Sequence, residues 1–207
     1  MAILLRLLFV HVLSDFFFQS DKICDGKQGK TKRKYVYQLL HSFIHASMAY
    51  LFVADWDNWI IPSVIFISHI LMDYIKVEYM KKDAASFLID QLVHIAVIVA
   101  LWLSLSDHDG NFCQEFFCTE WNRLNIWAVV IAYLLVLKPT SVFLSLFIKK
   151  WSPSESAGKS LPNAGKWIGY FERILILTFI LTGNAEGIGF LLAAKSIFRF
   201  GELSKAQ

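Results

Sequence analysis

Residues 86–106 decide the fold class of this chain, and they read SFLIDQLVHIAVIVALWLSLS. The segment is long enough to cross a bilayer as a helix, which takes about 20 mostly apolar residues. Its first half carries Asp90, Gln91 and His94, whereas residues 95–103 are apolar throughout. An ionisable side chain inside a membrane span is costly and usually marks function or a paired partner. The segment therefore predicts a membrane helix with a polar group confined to one depth.

The composition of the whole chain agrees with this prediction. Of its 207 residues, 56% are hydrophobic and 18% are charged, whereas soluble domains have roughly half apolar and about a quarter charged residues. Only 10 Gly and 4 Pro are present, which excludes a collagen-like or low-complexity chain. The net charge of +3 is too small to indicate a nucleic-acid partner. Three cysteines are too few for a disulfide scaffold.

Apolar runs separated by polar loops predict an all-α fold, a single integral-membrane domain over residues 1–207 with six or seven transmembrane helices. The last two runs are short, so they could instead form a re-entrant hairpin. Lys138-Pro139 predicts a kink, because proline removes a helical hydrogen bond. The predicted crossings are 2–19, 36–54, 58–80, 86–106, 124–148, 167–183 and 187–203.

Basic residues concentrate in alternate loops and predict the orientation. The loop 20–35 is basic, whereas the loop 107–123 is acidic. We therefore expect a multi-pass protein of the bacterial inner membrane with a periplasmic N-terminus and a cytoplasmic C-terminus. The acidic loop would then face an oxidising compartment, and the sequence leaves open whether Cys113 and Cys118 are bonded.

Four pairs of polar residues lie in the first four predicted crossings and include five of the six histidines. Each pair is spaced i,i+4, which places both members on one helix face. With the predicted orientation, all four faces fall at one depth in the cytoplasmic third of the bilayer. The pairs are His11/Asp15, His41/His45, His69/Asp73 and Asp90/His94.

Imidazole and carboxylate groups on facing helices predict a site for one or two divalent transition metals, Zn, Mn or Fe. We expect all eight paired residues to be metal ligands or to support the ligands. A metal would lower the pKa of a water molecule to about 7, with Asp15 or Asp90 as general base. Four cationic residues would bind an anionic small-molecule or lipid substrate, such as a lipid or polyprenyl phosphate from the cytoplasmic leaflet: Lys76, Lys138, Lys195 and Arg199.

Other interpretations of the same residues stay open. Proton and metal-ion transporters also use chains of Asp and His, although the apolar outer halves of these helices count against a transport path. A buried network of His and Asp could simply hold a bundle together. Lysines near helix ends often extend to the membrane surface without binding a substrate. The oligomeric state also stays open.

Two groups of motifs are similar to one known family. The N-terminal group is His11-Val-Leu-Ser-Asp15-Phe-Phe-Phe-Gln19, His41/His45, His69-x-x-x-Asp73-x-x-Lys76 and Phe87-x-x-Asp90-Gln91-x-x-His94. The C-terminal group is Gly165-Lys-Trp-Ile-Gly169-x-x-Glu172-Arg173 and Gly189-Phe-Leu-Leu-Ala-Ala-Lys195-Ser-Ile-x-Arg199-Phe. Together they resemble the bacterial membrane family named domain of unknown function 3307. The resemblance implies an inner-membrane protein and no particular activity. The His/Asp pattern is also broadly similar to that of multi-pass membrane-bound metal-dependent hydrolases, by analogy alone.

Overall fold

A computed structural model describes residues 2–29, 31–105, 126–148 and 164–204. Every regular element in this part of the chain is a helix, so the all-α fold is confirmed. The predicted acidic loop 107–123, with Cys113 and Cys118, lies outside the described residues. The helices are α1 Ala2–Leu13, a π-helical turn Ser14–Phe18, α2 Asp21–Lys27, α3 Arg33–Val53, α4 Ile60–Tyr79, α5 Ala84–Leu105, α6 Ile126–Val136, α7 Lys138–Ile148, α8 Ala164–Leu181 and α9 Ala185–Ser204.

Three helices among the described residues are long and apolar enough to cross a membrane: α4, α5 and the segment Ile126–Ile148, which contains α6 and α7. A fourth span results if Ile3–Phe18 and α2 form one broken crossing, and these two parts meet at 89°. Length and apolarity therefore support three or four spans, and the predicted six or seven are not confirmed.

The break between α6 and α7 has a chemical cause. It falls at Leu137, directly before Lys138-Pro139. Pro139 has no N–H to offer the carbonyl of Leu135, four residues back. The Thr140 hydroxyl donates to that carbonyl instead, at 2.7 Å. The helix is thus interrupted just before this proline, and a side chain replaces the missing backbone donor.

The chain divides into two compact units, residues 1–152 and 153–207. The second unit contains the hairpin of α8 and α9. Its turn includes Gly183, whose φ of +69° suits a residue without Cβ. The first unit contains the remaining described helices, and all the paired residues predicted from the sequence belong to it.

The apolar core of the first unit lies on one side of these paired residues. Along the chain, the core residues come before His11 in α1 and before His69 in α4. They come after His45 in α3 and after His94 in α5. Because α3, α4 and α5 are joined by short loops, neighbouring helices run in opposite directions, and these positions meet at one end of the bundle. The buried core consists of Leu4, Leu7, Val10, Ala49, Val53, Ile61, Ile65, Ile98, Leu101 and Trp102.

Candidate metal centre

Five histidines from four helices converge in the first unit, and each is at most 3% exposed. We call them the histidine cluster: His11, His41, His45, His69 and His94. The ring centroids of His45 and His69 are 3.8 Å apart, and those of His69 and His94 are 4.1 Å apart. His11 lies against His94 at 5.4 Å. The sequence placed these residues on separate helix faces, and the fold joins those faces into one group.

Asp15 is the carboxylate at the centre of the cluster. His41 and His45 each donate an Nε2–H to its Oδ1 atom, at 3.1 Å and 3.0 Å, because a carboxylate oxygen can only accept. Gln91 donates its amide to Oδ2 at 3.0 Å and accepts from His11 Nε2 at 3.2 Å. Both oxygens of Asp15 therefore accept hydrogen bonds, Oδ1 from two imidazoles and Oδ2 from an amide.

A local irregularity presents Asp15 to the cluster. Residues Ser14–Phe18 form a π-helical turn, in which the Gln19 N–H donates to the Ser14 carbonyl at 3.1 Å. Such turns change the direction of the side chains they carry and are frequent at functional sites. The i,i+4 spacing of His11 and Asp15 is that of a regular helix, so this turn could not be predicted from the sequence.

Four residues could hold a metal ion: His11, Asp15, His45 and His69. One ligand atom from each lies within 4.8 Å of the others. Two ligands of one ion, each at about 2.1 Å, can be at most about 4.2 Å apart. Small side-chain rotations would therefore bring the four atoms to bonding distances, and three imidazoles with one carboxylate suit Zn, Mn or Fe.

His69 shows the hydrogen-bond pattern typical of a metal ligand. Its Nδ1–H donates to the Ile65 carbonyl at 2.9 Å, because a carbonyl can only accept. In the neutral ring, Nε2 is then a bare lone pair, and this buried atom has no partner among the described residues. Metal-bound histidines commonly have their second nitrogen fixed in this way. The donor set and this free nitrogen both fit a divalent transition metal.

Two predicted ligands have lysine partners instead. Asp73 accepts from Lys27 Nζ with both oxygens, at 2.9 Å and 2.8 Å. Asp90 accepts from Lys76 Nζ at 2.5 Å, and its other oxygen lies 3.6 Å from His94 Nε2. Neither carboxylate is part of the four-residue group, although both lie beside the cluster.

Lys27 is the functional residue that sequence reasoning missed. The 89° bend turns α2 back toward the bundle and buries the Lys27 side chain. Gly26 allows this approach, because a Cβ atom there would lie 2.4 Å from the Tyr37 ring. With its amide oxygen turned toward the ammonium, Gln19 also accepts from Lys27 at 2.9 Å. The one sequence signal for this burial is Gly26 directly before Lys27. In a stretch as basic as 20–35, that pair does not stand out from the other lysines.

A cavity of about 380 Å³ lies on the side of the cluster opposite the apolar core. Asp15 and Gln91 line it where it meets the cluster. Its other charged lining residues are Lys27, Asp73, Lys76, Lys81, Lys82 and Asp83. Its apolar lining residues include Phe16, Phe87, Val142 and Leu146.

The other predicted substrate-binding residues are elsewhere. Lys138 does not line this cavity, and its Nζ lies 5.7 Å from the centroid of the Phe17 ring. Lys195, in the second unit, donates to both oxygens of Glu172 at 2.6 Å and 2.7 Å. The side chain of Arg199 lies outside the described part of the chain. Among the four predicted cations, Lys76 is thus the one that the described structure brings to the cavity.

Comparison with curated proteins gives no match. Comparison with solved structures gives none either. One family, described as Protein of unknown function (DUF3307), matches residues 3–122. This range contains the histidine cluster, Asp15 and all the lysines of the cavity, and it ends before α6 and the C-terminal motifs. The match covers more than half of the chain, which therefore belongs to the DUF3307 family.

Proposed function

We propose that this protein is a metal-dependent membrane hydrolase that acts on an anionic, lipid- or polyprenyl-phosphate-like substrate from the cytoplasmic leaflet. The observation that carries the proposal is the free Nε2 of buried His69, which lies among three further potential ligands. A lysine-lined cavity meets the same group at Asp15. A metal centre beside a cationic cavity is the combination that hydrolysis of a phosphate ester needs.

The proposed setting is the bacterial inner membrane, with a periplasmic N-terminus, a cytoplasmic C-terminus and six or seven crossings. Three helices have the necessary length and apolarity, and the bent pair adds a fourth. The remaining crossings would come from α3, α8 and α9. The lysines of the cavity support a cytoplasmic opening, because Lys and Arg are enriched on that side of a membrane protein.

A divalent Zn, Mn or Fe ion, when bound, would supply Lewis-acid activation of water. His11, Asp15, His45 and His69 would hold one ion. A second ion would require Asp73 or Asp90 to release its lysine. Gln91 would orient both Asp15 and His11, since it hydrogen-bonds to each.

Of the two carboxylates considered as general base, the geometry favours Asp15. Its side chain lines the cavity, so water could reach it. Asp90 does not line the cavity and is only 1% exposed. Its Oδ2 atom accepts hydrogen bonds from Lys76 and Gln91. Asp90 would instead hold Lys76 in position beside the substrate.

The rival functions are less well supported. A transporter needs access from both faces, yet the apolar core closes the side of the cluster opposite the cavity. A purely structural network should satisfy its buried polar atoms. Here, four buried histidine nitrogens have no partner among the described residues: His11 Nδ1, His41 Nδ1, His69 Nε2 and His94 Nδ1.

The test is the metal content of the purified, detergent-solubilised protein, measured by mass spectrometry. We expect close to one Zn, Mn or Fe ion per chain, lost in folded His69→Ala and retained in Lys138→Gln, which alters a lysine outside the cavity. Hydrolysis of lipid phosphates by the loaded protein should disappear with the metal. Wild-type protein that stays metal-free after incubation with each ion would refute the proposal.

A further inference from the structure

The mouth of the cavity carries positive charge that the described residues leave uncompensated. The ammonium of Lys27 is neutralised by Asp73, and that of Lys76 contacts Asp90. Lys82 donates to the neutral amide oxygen of Gln28. Neither Lys81 nor Lys82 forms an ion pair with a described carboxylate.

The remaining carboxylate at the mouth has a different partner. Asp83 accepts a hydrogen bond from the Ser86 N–H at 2.8 Å and so caps the start of α5. This bond lowers the pKa of the Asp83 carboxyl. Asp83 interacts electrostatically with Lys81 and so reduces the local positive charge, although it forms no ion pair within 4 Å with either lysine. The cavity therefore offers two ammonium groups that form no ion pair with a described carboxylate, with the partly exposed Lys76 further in.

Part of the cavity lining is apolar, and we call it the apolar wall. Phe87 of α5 and Val142 and Leu146 of α7 line it. Val142 is 39% exposed, and α7 belongs to a segment apolar enough to span a membrane. In a bilayer this wall would border lipid chains. The cavity thus joins a cationic mouth to an apolar wall, within a volume typical of small-molecule sites.

We propose that Lys76, Lys81 and Lys82 form a subsite for the phosphate monoester group of an amphiphilic ligand, whose apolar part lies along Phe87, Val142 and Leu146. This proposal rests on the proposed hydrolase function and specifies its substrate: a lipid bearing a terminal phosphate. Lysine ammonium groups bind phosphate oxygens by charge-assisted hydrogen bonds. The phosphate would lie between the lysines and Asp15, and hence beside the candidate metal ligands.

Cys24 provides a test that needs no metal, because it lines the same cavity and is partly exposed. Cys113→Ser and Cys118→Ser leave Cys24 as the single thiol of the full chain. The rate of its alkylation is measured on chelator-treated protein in mixed micelles. The micelles contain phosphatidic acid, phosphatidylcholine, or phosphatidylcholine with inorganic phosphate in the buffer.

We expect phosphatidic acid to slow alkylation about tenfold at ten times its Kd, because the unliganded fraction falls as 1/(1 + [L]/Kd). Combining Lys81→Gln with Lys82→Gln should raise that Kd about tenfold or more, since two charge-assisted bonds are lost. The matched control is Lys22→Gln, which alters a lysine of α2 that does not line the cavity and should keep the protection.

Results that differ from these expectations each contradict one part of the proposal. No protection, or equal protection in the Lys81/Lys82 variant, overturns the subsite. Equal protection by phosphatidylcholine overturns the selectivity for a phosphate monoester. Equal protection by inorganic phosphate overturns the amphiphilic part. Metal content of the Lys81/Lys82 variant should equal that of the wild type, so failure of the subsite is distinguishable from failure of the metal centre.

Discussion

Lys27→Met should destabilise the protein strongly, although Lys27 lies in a segment whose composition is that of a loop. The side chains of Lys27 and Asp73 are only 8% and 7% exposed. Lys27 contacts both oxygens of Asp73, and no other lysine or arginine among the described residues pairs with that carboxylate. Removing one partner of a buried ion pair leaves an uncompensated charge and costs roughly 3–5 kcal/mol. We expect the free energy of unfolding to fall by about that amount.

The double variant Lys27→Met/Asp73→Leu distinguishes the cost of an unpaired buried charge from the cost of lost packing. Replacing both members of a buried ion pair by apolar residues of similar size is often close to neutral, so the double variant should recover most of the stability. Unfolding by sodium dodecyl sulfate in mixed micelles, followed by circular dichroism, gives the four free energies of the cycle. The comparison variant is Lys34→Met, which breaks the more exposed contact with Glu78 and should change the stability far less.

Two results would refute the reasoning. One is a Lys27→Met variant no less stable than Lys34→Met. The other is a double variant whose loss equals the sum of the single losses, which would mean that the two charges do not interact. Either result would place Lys27 in water rather than inside the bundle.

Three further predictions concern α2, the start of α5 and the centre of the cluster. Gly26→Ala should lower stability, because its Cβ would lie 2.4 Å from the Tyr37 ring; unfolding with and without Tyr37→Ala should show partial rescue. Ser86 amide protection from hydrogen exchange should be full above the usual pKa of aspartate and fall as pH drops through the lowered pKa of Asp83, whereas Asp83→Ala should lack this dependence. Gln91→Leu should weaken metal binding by about 10–100-fold, as loss of an outer hydrogen-bond partner does; competition with a chelator measures this, and unchanged affinity would contradict the proposed role.

The helices and the grouping of polar residues could be predicted from the sequence because a helix long and apolar enough to cross a membrane has a strong sequence pattern. Long apolar segments mark the extent of such helices in the sequence. As a result, α4 and α5 begin and end close to the predicted bounds of 58–80 and 86–106. Polar residues inside such segments are rare, and i,i+4 spacing assigns them to a face. Their rarity and their spacing were sufficient to identify the five histidines that lie together in the structure.

The partners of the carboxylates could not be predicted in the same way. Spacing places Asp73 on the same helix face as His69, but it does not say whether a metal or an ammonium group lies opposite. That choice depends on the bend before α2, which brings Lys27 to Asp73. The bend has no periodic signature, because Asp21–Lys27 is too short and polar to show one.

These pairings also support the proposal that a metal and an anion bind at the same place. With Lys27 on Asp73 and Lys76 on Asp90, two of the three buried carboxylates are neutralised. Asp15 contacts only imidazoles and an amide, so with neutral histidines the cluster carries one uncompensated negative charge. A divalent cation would reverse this to one positive charge, which is costly in a medium of low dielectric constant. An anionic ligand group beside Asp15 would remove that excess, and the lining of the cavity includes both Asp15 and the ammonium groups of Lys81 and Lys82. The charge balance of the buried residues therefore favours a site in which a bound metal would strengthen the binding of phosphate.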